Sequence, residues 1–142
     1  MHHHKSAVLS TILAGALCGT VSAAEIKGAD ILNHPCGKVA VKAMGFLHQG
    51  KFEEANKLST KALQDRWLAT PAKERAMIAD LAKEMSPPEA EYIAMVKSHG
   101  VLVVDDTAGK LTITQKTQDA SGTSTRTMTS KFAINGGECL MN

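Results

Sequence analysis

The chain has 142 residues, of which 44% are hydrophobic, 21% charged and 4% aromatic, the composition of one globular domain and not of a multidomain enzyme or a disordered polymer. Sixteen Lys and Arg against fourteen Asp and Glu leave a formal charge of +2. So small a balance provides no long-range field toward nucleic acid or anionic lipid, and no nucleic-acid partner is expected.

Residues 1–23 have the pattern of an export signal. A short basic start, Met1 to Lys5, precedes an apolar run from Ala7 to Leu17, and Val21-Ser22-Ala23 supplies the small residues a signal peptidase selects. Cleavage is expected after Ala23, or else after Ala24. The apolar run is shorter than the about 20 residues a permanent span needs, so no integral membrane segment is expected once the leader is gone. The histidines His2, His3 and His4, native or a tag remnant, are left out of any metal set. Cys18 follows Leu17, where a lipoprotein signal has a small residue, so free release as a periplasmic or secreted protein is expected over lipidation.

Loss of the leader leaves two cysteines, Cys36 and Cys139, in an oxidising compartment. An even count in a small exported chain predicts a disulfide; two unpaired buried thiols are the alternative. The bridge would close a loop of about 104 residues, worth at most about 4–5 kcal/mol in the chain-entropy view. That is a large share of a stability of about 5–15 kcal/mol.

The remaining residues divide near Gly100, with Ala, Lys, Glu, Leu and Met before it and Thr, Val and Gly after it. Helices first and strands second predict an α+β fold: three to four N-terminal helices packed on one face of a C-terminal antiparallel meander of about four strands. Residues 24–34 are expected as an extended lead-in and 35–142 as a single domain. Pro35 opens the first helix, capped by His34 or Asn33, with Val39, Ala40, Ala43, Met44 and Leu47 at helical spacing and Gly50 as its stop. A second helix carries Phe52, Ala55, Leu58, Ala62 and Leu63 on one face and closes at Trp67, with Phe52 as a core anchor. The third, Ala72 to Met85, is expected to bury Met77, Ile78, Leu81 and Met85. The fourth starts at Ser86-Pro87-Pro88-Glu89, a Ser cap with Pro at the first helical position and Glu three residues on, and ends at His99-Gly100.

Val101 to Val104 form an apolar strand. Leu111, Ile113 and Gln115 then alternate with Thr112, Thr114 and Lys116. In the long strand that follows, Met128, Phe132 and Ile134 share one face while Thr123, Thr125, Thr127 and Thr129 share the other. Asn135-Gly136 is a hairpin signal, and a short strand from Glu138 to Met141 ends the sheet.

Two segments resemble the cone-shaped superfamily named after nuclear transport factor 2, in its small exported bacterial branch once labelled lumazine-binding. Phe46-Leu47-His48-Gln49-Gly50-Lys51-Phe52-Glu53-Glu54-Ala55 is similar to the family's aromatic helix end and Gly-Asp-Tyr/Phe-x-x-Ala, with Lys51 in place of Asp. Phe132-Ala133-Ile134-Asn135-Gly136-Gly137-Glu138-Cys139 is similar to its closing strand pair, with Cys139 where Trp is usual. The resemblance implies helices laid over a curved sheet, and an apolar pocket between them lined by Phe46, Trp67, Tyr92, Met128 and Phe132.

No catalytic set is assigned. Enzymes of that superfamily need a tuned acid or base with a donor such as Tyr, and none of their motifs maps onto Tyr92, Glu89, Glu91, His34, His48 or His99. His34 and Cys36 are two soft donors with nothing near them in sequence to complete a tetrahedral set, and Asp105-Asp106 suits a turn, so no metal or cofactor is expected. The methionines fall at core positions. Two readings lead: a binding protein for a small apolar ligand, or an envelope protein (an inhibitor, immunity or accessory subunit) that binds a protein partner through the sheet face or edge. An isomerase- or dehydratase-like enzyme is third.

Overall fold

His99 ends a helix and Gly100 begins a strand with no loop between them, so the change of composition at that point is a structural boundary. The computed structural model describes residues 22–142; the apolar run expected as a leader, Cys18 and the N-terminal histidines lie outside the described residues. The chain forms an α+β fold with elements β1 (Ala24–Lys27), a 3₁₀ turn (Gly28–Asn33), α1 (Pro35–His48), α2 (Phe52–Asn56), α3 (Lys61–Ala69), α4 (Ala72–Met85), α5 (Glu89–His99), β2 (Gly100–Val104), β3 (Ala108–Asp119), β4 (Gly122–Asn135) and β5 (Glu138–Met141).

The strands make one five-stranded antiparallel sheet in the order β1-β2-β3-β4-β5. The expected lead-in therefore supplies an edge strand, with Ile26 opposite Leu102 and Ala24 opposite Val104. Alternation puts Leu102, Leu111, Ile113 and Phe132 on the buried face, against Tyr92, Met95 and Val96 of α5 and Cys36 and Ala40 of α1. Thr112 pairs with Thr129 and Thr114 with Thr127 on the other face, where the threonine array spans two strands. Burial stops at Ile113 and Met128; beyond them β3 and β4 continue as an exposed ribbon to Asp119 and Gly122. The last hairpin turns at Gly136-Gly137, both at positive φ (59° and 82°), rather than at Asn135-Gly136. Two central residues with φ > 0 match the twist of the flanking strands, and Gly adopts them without strain.

Tertiary hydrogen bonds overrule the expected second helix. The Thr60 amide donates to the Met141 carbonyl and the Met141 amide to the Leu58 carbonyl, so residues 57–60 leave the helix to pair with the end of β5, and α2 and α3 separate. The start expected at Ser86 also moves. Pro88 occupies the position before α5, and Ser86 donates its hydroxyl back to the Ala82 carbonyl, closing α4. At the other end of the helical layer His34 is the cap: its Nδ1 accepts from the Cys36 amide at 3.1 Å, and Pro35 follows as the first helical residue.

Gly37 fixes how closely α1 meets the 3₁₀ turn. A Cβ at this position would lie 1.8 Å from the Ile31 carbonyl oxygen, a backbone atom that cannot swing away. Gly37→Ala should therefore destabilise the protein by about 3 kcal/mol in denaturant unfolding; a loss below about 1 kcal/mol would mean that α1 can slide off the turn.

Candidate functional site

The five residues expected to line a pocket do not share one. Tyr92 and Phe132 are closed inside the core. Trp67 is buried outside the main core cluster, where its ring packs on Phe52 at 4.1 Å between centroids. Phe46 is half-buried and approached by the Lys42 ammonium at 5.9 Å. Met128 borders a small cavity of about 180 Å³ with Met85, Met95, Gln115 and Arg126 at the root of the ribbon. A cavity of about 370 Å³ does touch Phe132, but it opens at the end of the sheet, beside Ala23, Asp105 and Asn142, where Val103, Lys110 and Lys131 point away from the helices. The small cavity beside Met95 and Met128 is the space found between the helices and the sheet among these sites, and Tyr92 and Phe132 do not reach it.

Trp67 belongs to a satellite cluster. Its indole Nε1 donates to Glu53 Oε1 at 3.0 Å, the Arg75 guanidinium lies 5.9 Å from the ring centre, and Arg75 reaches the same Glu53 oxygen at 3.9 Å. These contacts hold α2, α3 and α4 together, so Phe52 anchors this cluster instead of the main core, and remains half-buried. A buried indole with its N–H satisfied is a structural arrangement.

The helix–sheet junction carries the disulfide. Cys36 and Cys139 are bridged, with their Cα atoms 5.0 Å apart and both residues buried. The first turn of α1 is thereby joined to β5. The His34 ring lies beside the bridge, and His34, Cys36 and Cys139 bring donor atoms within 4.8 Å of one another. Both sulfurs are committed to each other, so in the bridged protein this trio offers imidazole alone and does not make a metal site.

The expectation that fails most informatively concerns α4. Met77 (65% exposed), Leu81 (54%) and Met85 (62%) face solvent, as does Ile78. No residue of α4 is buried, and its least exposed side chains are Arg75, Ala79 and Ala82. The helix has two apolar stripes, one of alanines and one of large residues. It packs on α1 with the alanines, which permit a close approach, and turns the large residues outward. Leu68 at the end of α3 is exposed as well. A monomeric protein ordinarily exposes single apolar residues, so a stripe of four along one helix is a candidate interaction surface.

None of the family models, curated proteins or solved structures compared with the chain matches it. Among the described residues no helix is long and apolar enough to cross a membrane.

Tyr92 is the core's one titratable hydroxyl with a shifted equilibrium. Burial raises its pKa above the ordinary tyrosine value, partly offset by a hydrogen bond with Ser130. Since the folded form holds its proton more tightly, its contribution is complete below about pH 10 and is lost as pH rises toward the folded pKa. Stability should fall above pH 10 more steeply in the wild type than in Tyr92→Phe, which should itself cost about 1 kcal/mol at pH 7. Parallel pH profiles in urea would contradict this.

Proposed function

We propose that this chain is a protein-binding module that works outside the cytoplasm, and that the outward face of α4 is its docking surface. The observation that carries the reading is the inversion of α4: its large side chains Met77, Leu81 and Met85 lie in water while its least exposed positions are Arg75, Ala79 and Ala82. Each Leu or Met taken from water into an interface contributes about 1.5–3 kcal/mol. The four residues are already partly covered, at 40–65% exposed, so together they contribute about 3–7 kcal/mol, toward the low end of the about 4–15 kcal/mol that association costs, and polar contacts must add to them.

Location outside the cytoplasm is supported by two independent features, the export-signal pattern of residues 1–23 and the buried Cys36–Cys139 bridge, which persists in oxidising compartments. The likeness to the nuclear transport factor 2 superfamily forms the fold-level part of the proposal. Five helices ahead of a meander support it, while Tyr92 and Phe132, expected to line a pocket, are buried in the core.

A photo-crosslinking residue placed at Met77, in the protein expressed with its leader, should trap a discrete protein adduct. The same residue at Thr125, on the exposed ribbon, should trap little. Equal labelling from both positions, or tight retention of a small apolar molecule in native mass spectrometry, would contradict the reading.

A further inference from the structure

We infer that the partner seated on α4 is a second copy of this chain, crossing antiparallel about a two-fold axis beside Ala79. The inference rests on the docking reading above and names the occupant. The outer face of α4 carries a shallow groove of about 520 Å³ lined by Lys73, Glu74, Met77, Asp80, Leu81 and Glu84. Met77 and Leu81 hold its centre, with Lys73 toward the N-terminal end and Glu84 toward the C-terminal end.

At about 100° per residue, Lys73, Asp80 and Glu84 fall along one flank of this face. A two-fold axis across a helix reverses its direction, so a flank meets the same flank of the copy, its start against the other's end. Lys73 then meets the partner subunit's Glu84, and Glu84 meets the partner subunit's Lys73, giving two ion pairs. The same operation lays Met77 beside the partner subunit's Leu81. Both pairings are centred on one point of the helix, next to Ala79, and that coincidence is what selects a second copy: an unrelated partner requires no such internal symmetry. Antiparallel crossing also sets the positive end of each helix dipole against the negative end of the other. The unfavourable elements are Asp80, which lies near the axis and approaches its own copy with Lys73 on the same flank to offset it, and Glu74, which lies on the other flank and meets the partner subunit's Met85.

Sedimentation equilibrium of the purified, bridge-intact protein over about 1–500 µM should show a monomer–dimer equilibrium. Lys73→Glu alone and Glu84→Lys alone should each weaken it about tenfold or more, since each change makes both ion pairs repulsive. The double variant, which rebuilds both pairs with reversed sign, should return to within about threefold of wild type. Leu81→Lys, at an exposed position that folding does not need, should leave a monomer with unaltered circular dichroism. Monomer throughout the range, a dimer indifferent to these substitutions, a double variant no better than the singles, or a crosslink from Met77 to residues 1–21 of its own chain would each overturn the inference. A different protein crosslinked at Met77 would overturn it too while leaving the docking reading standing; the absence of any crosslink together with monomer would remove both.

Discussion

The covalent link between Cys36 and Cys139 is the constraint on which the rest of the structure depends. It joins the first turn of α1 to the closing strand within the core, close to β3, where a Cβ at Gly109 would lie 3.4 Å from the Cys36 sulfur. Once that point is fixed, β5 can lie along β4, its end can draw residues 57–60 out of helix, and α2 and α3 take separate directions. A sheet whose outer ribbon is unsupported and a helical layer to which α4 adds no buried residue make a thin core. The bridge offsets that thinness by restricting the unfolded chain.

The two packing layers divide the work. α1 and α5 bury Ala40, Tyr92, Met95 and Val96 against the sheet, and the cavity beside Met95 at the root of the ribbon is only about 180 Å³. α4 sits outside this layer, held by the Trp67, Glu53 and Arg75 contacts and by the His48 Nδ1–H donated to the Ser86 carbonyl at 2.9 Å. It is therefore fixed in place as a rigid carrier for Met77, Leu81 and Met85 without spending them on the fold. A docking surface built on a braced helix loses little conformational entropy on binding.

The sequence was most legible where one physical rule acted alone. The break at Gly100, the cap and proline before α1, the alternation in β3 and β4 and the pairing of the two cysteines follow from composition, cap chemistry, period two and an even cysteine count. It was least legible where two rules competed. Periodicity in α4 identifies two apolar stripes and cannot say which one packs; size suggested the methionines, and close helix–helix approach chose the alanines. The helix expected through Leu58 and Leu63 yielded to strand-like bonds from Leu58 and Thr60 to Met141 at the far end of the chain. The lead-in became β1 because β2 has a second edge to satisfy, a tertiary demand with no local signal beyond Ile26. The candidate surface was hidden for the same reason as α4's packing: an apolar stripe reads as core until something else is found to occupy the core.

The account's central claim, that the sulfur link holds a thin α+β core together, is tested most directly by urea unfolding of the protein with the bridge intact and after selective reduction. A loss of about 4 kcal/mol on reduction, with the far-ultraviolet signal of helix and sheet retained at low urea, is the predicted result. Equal stability of the two forms would contradict it.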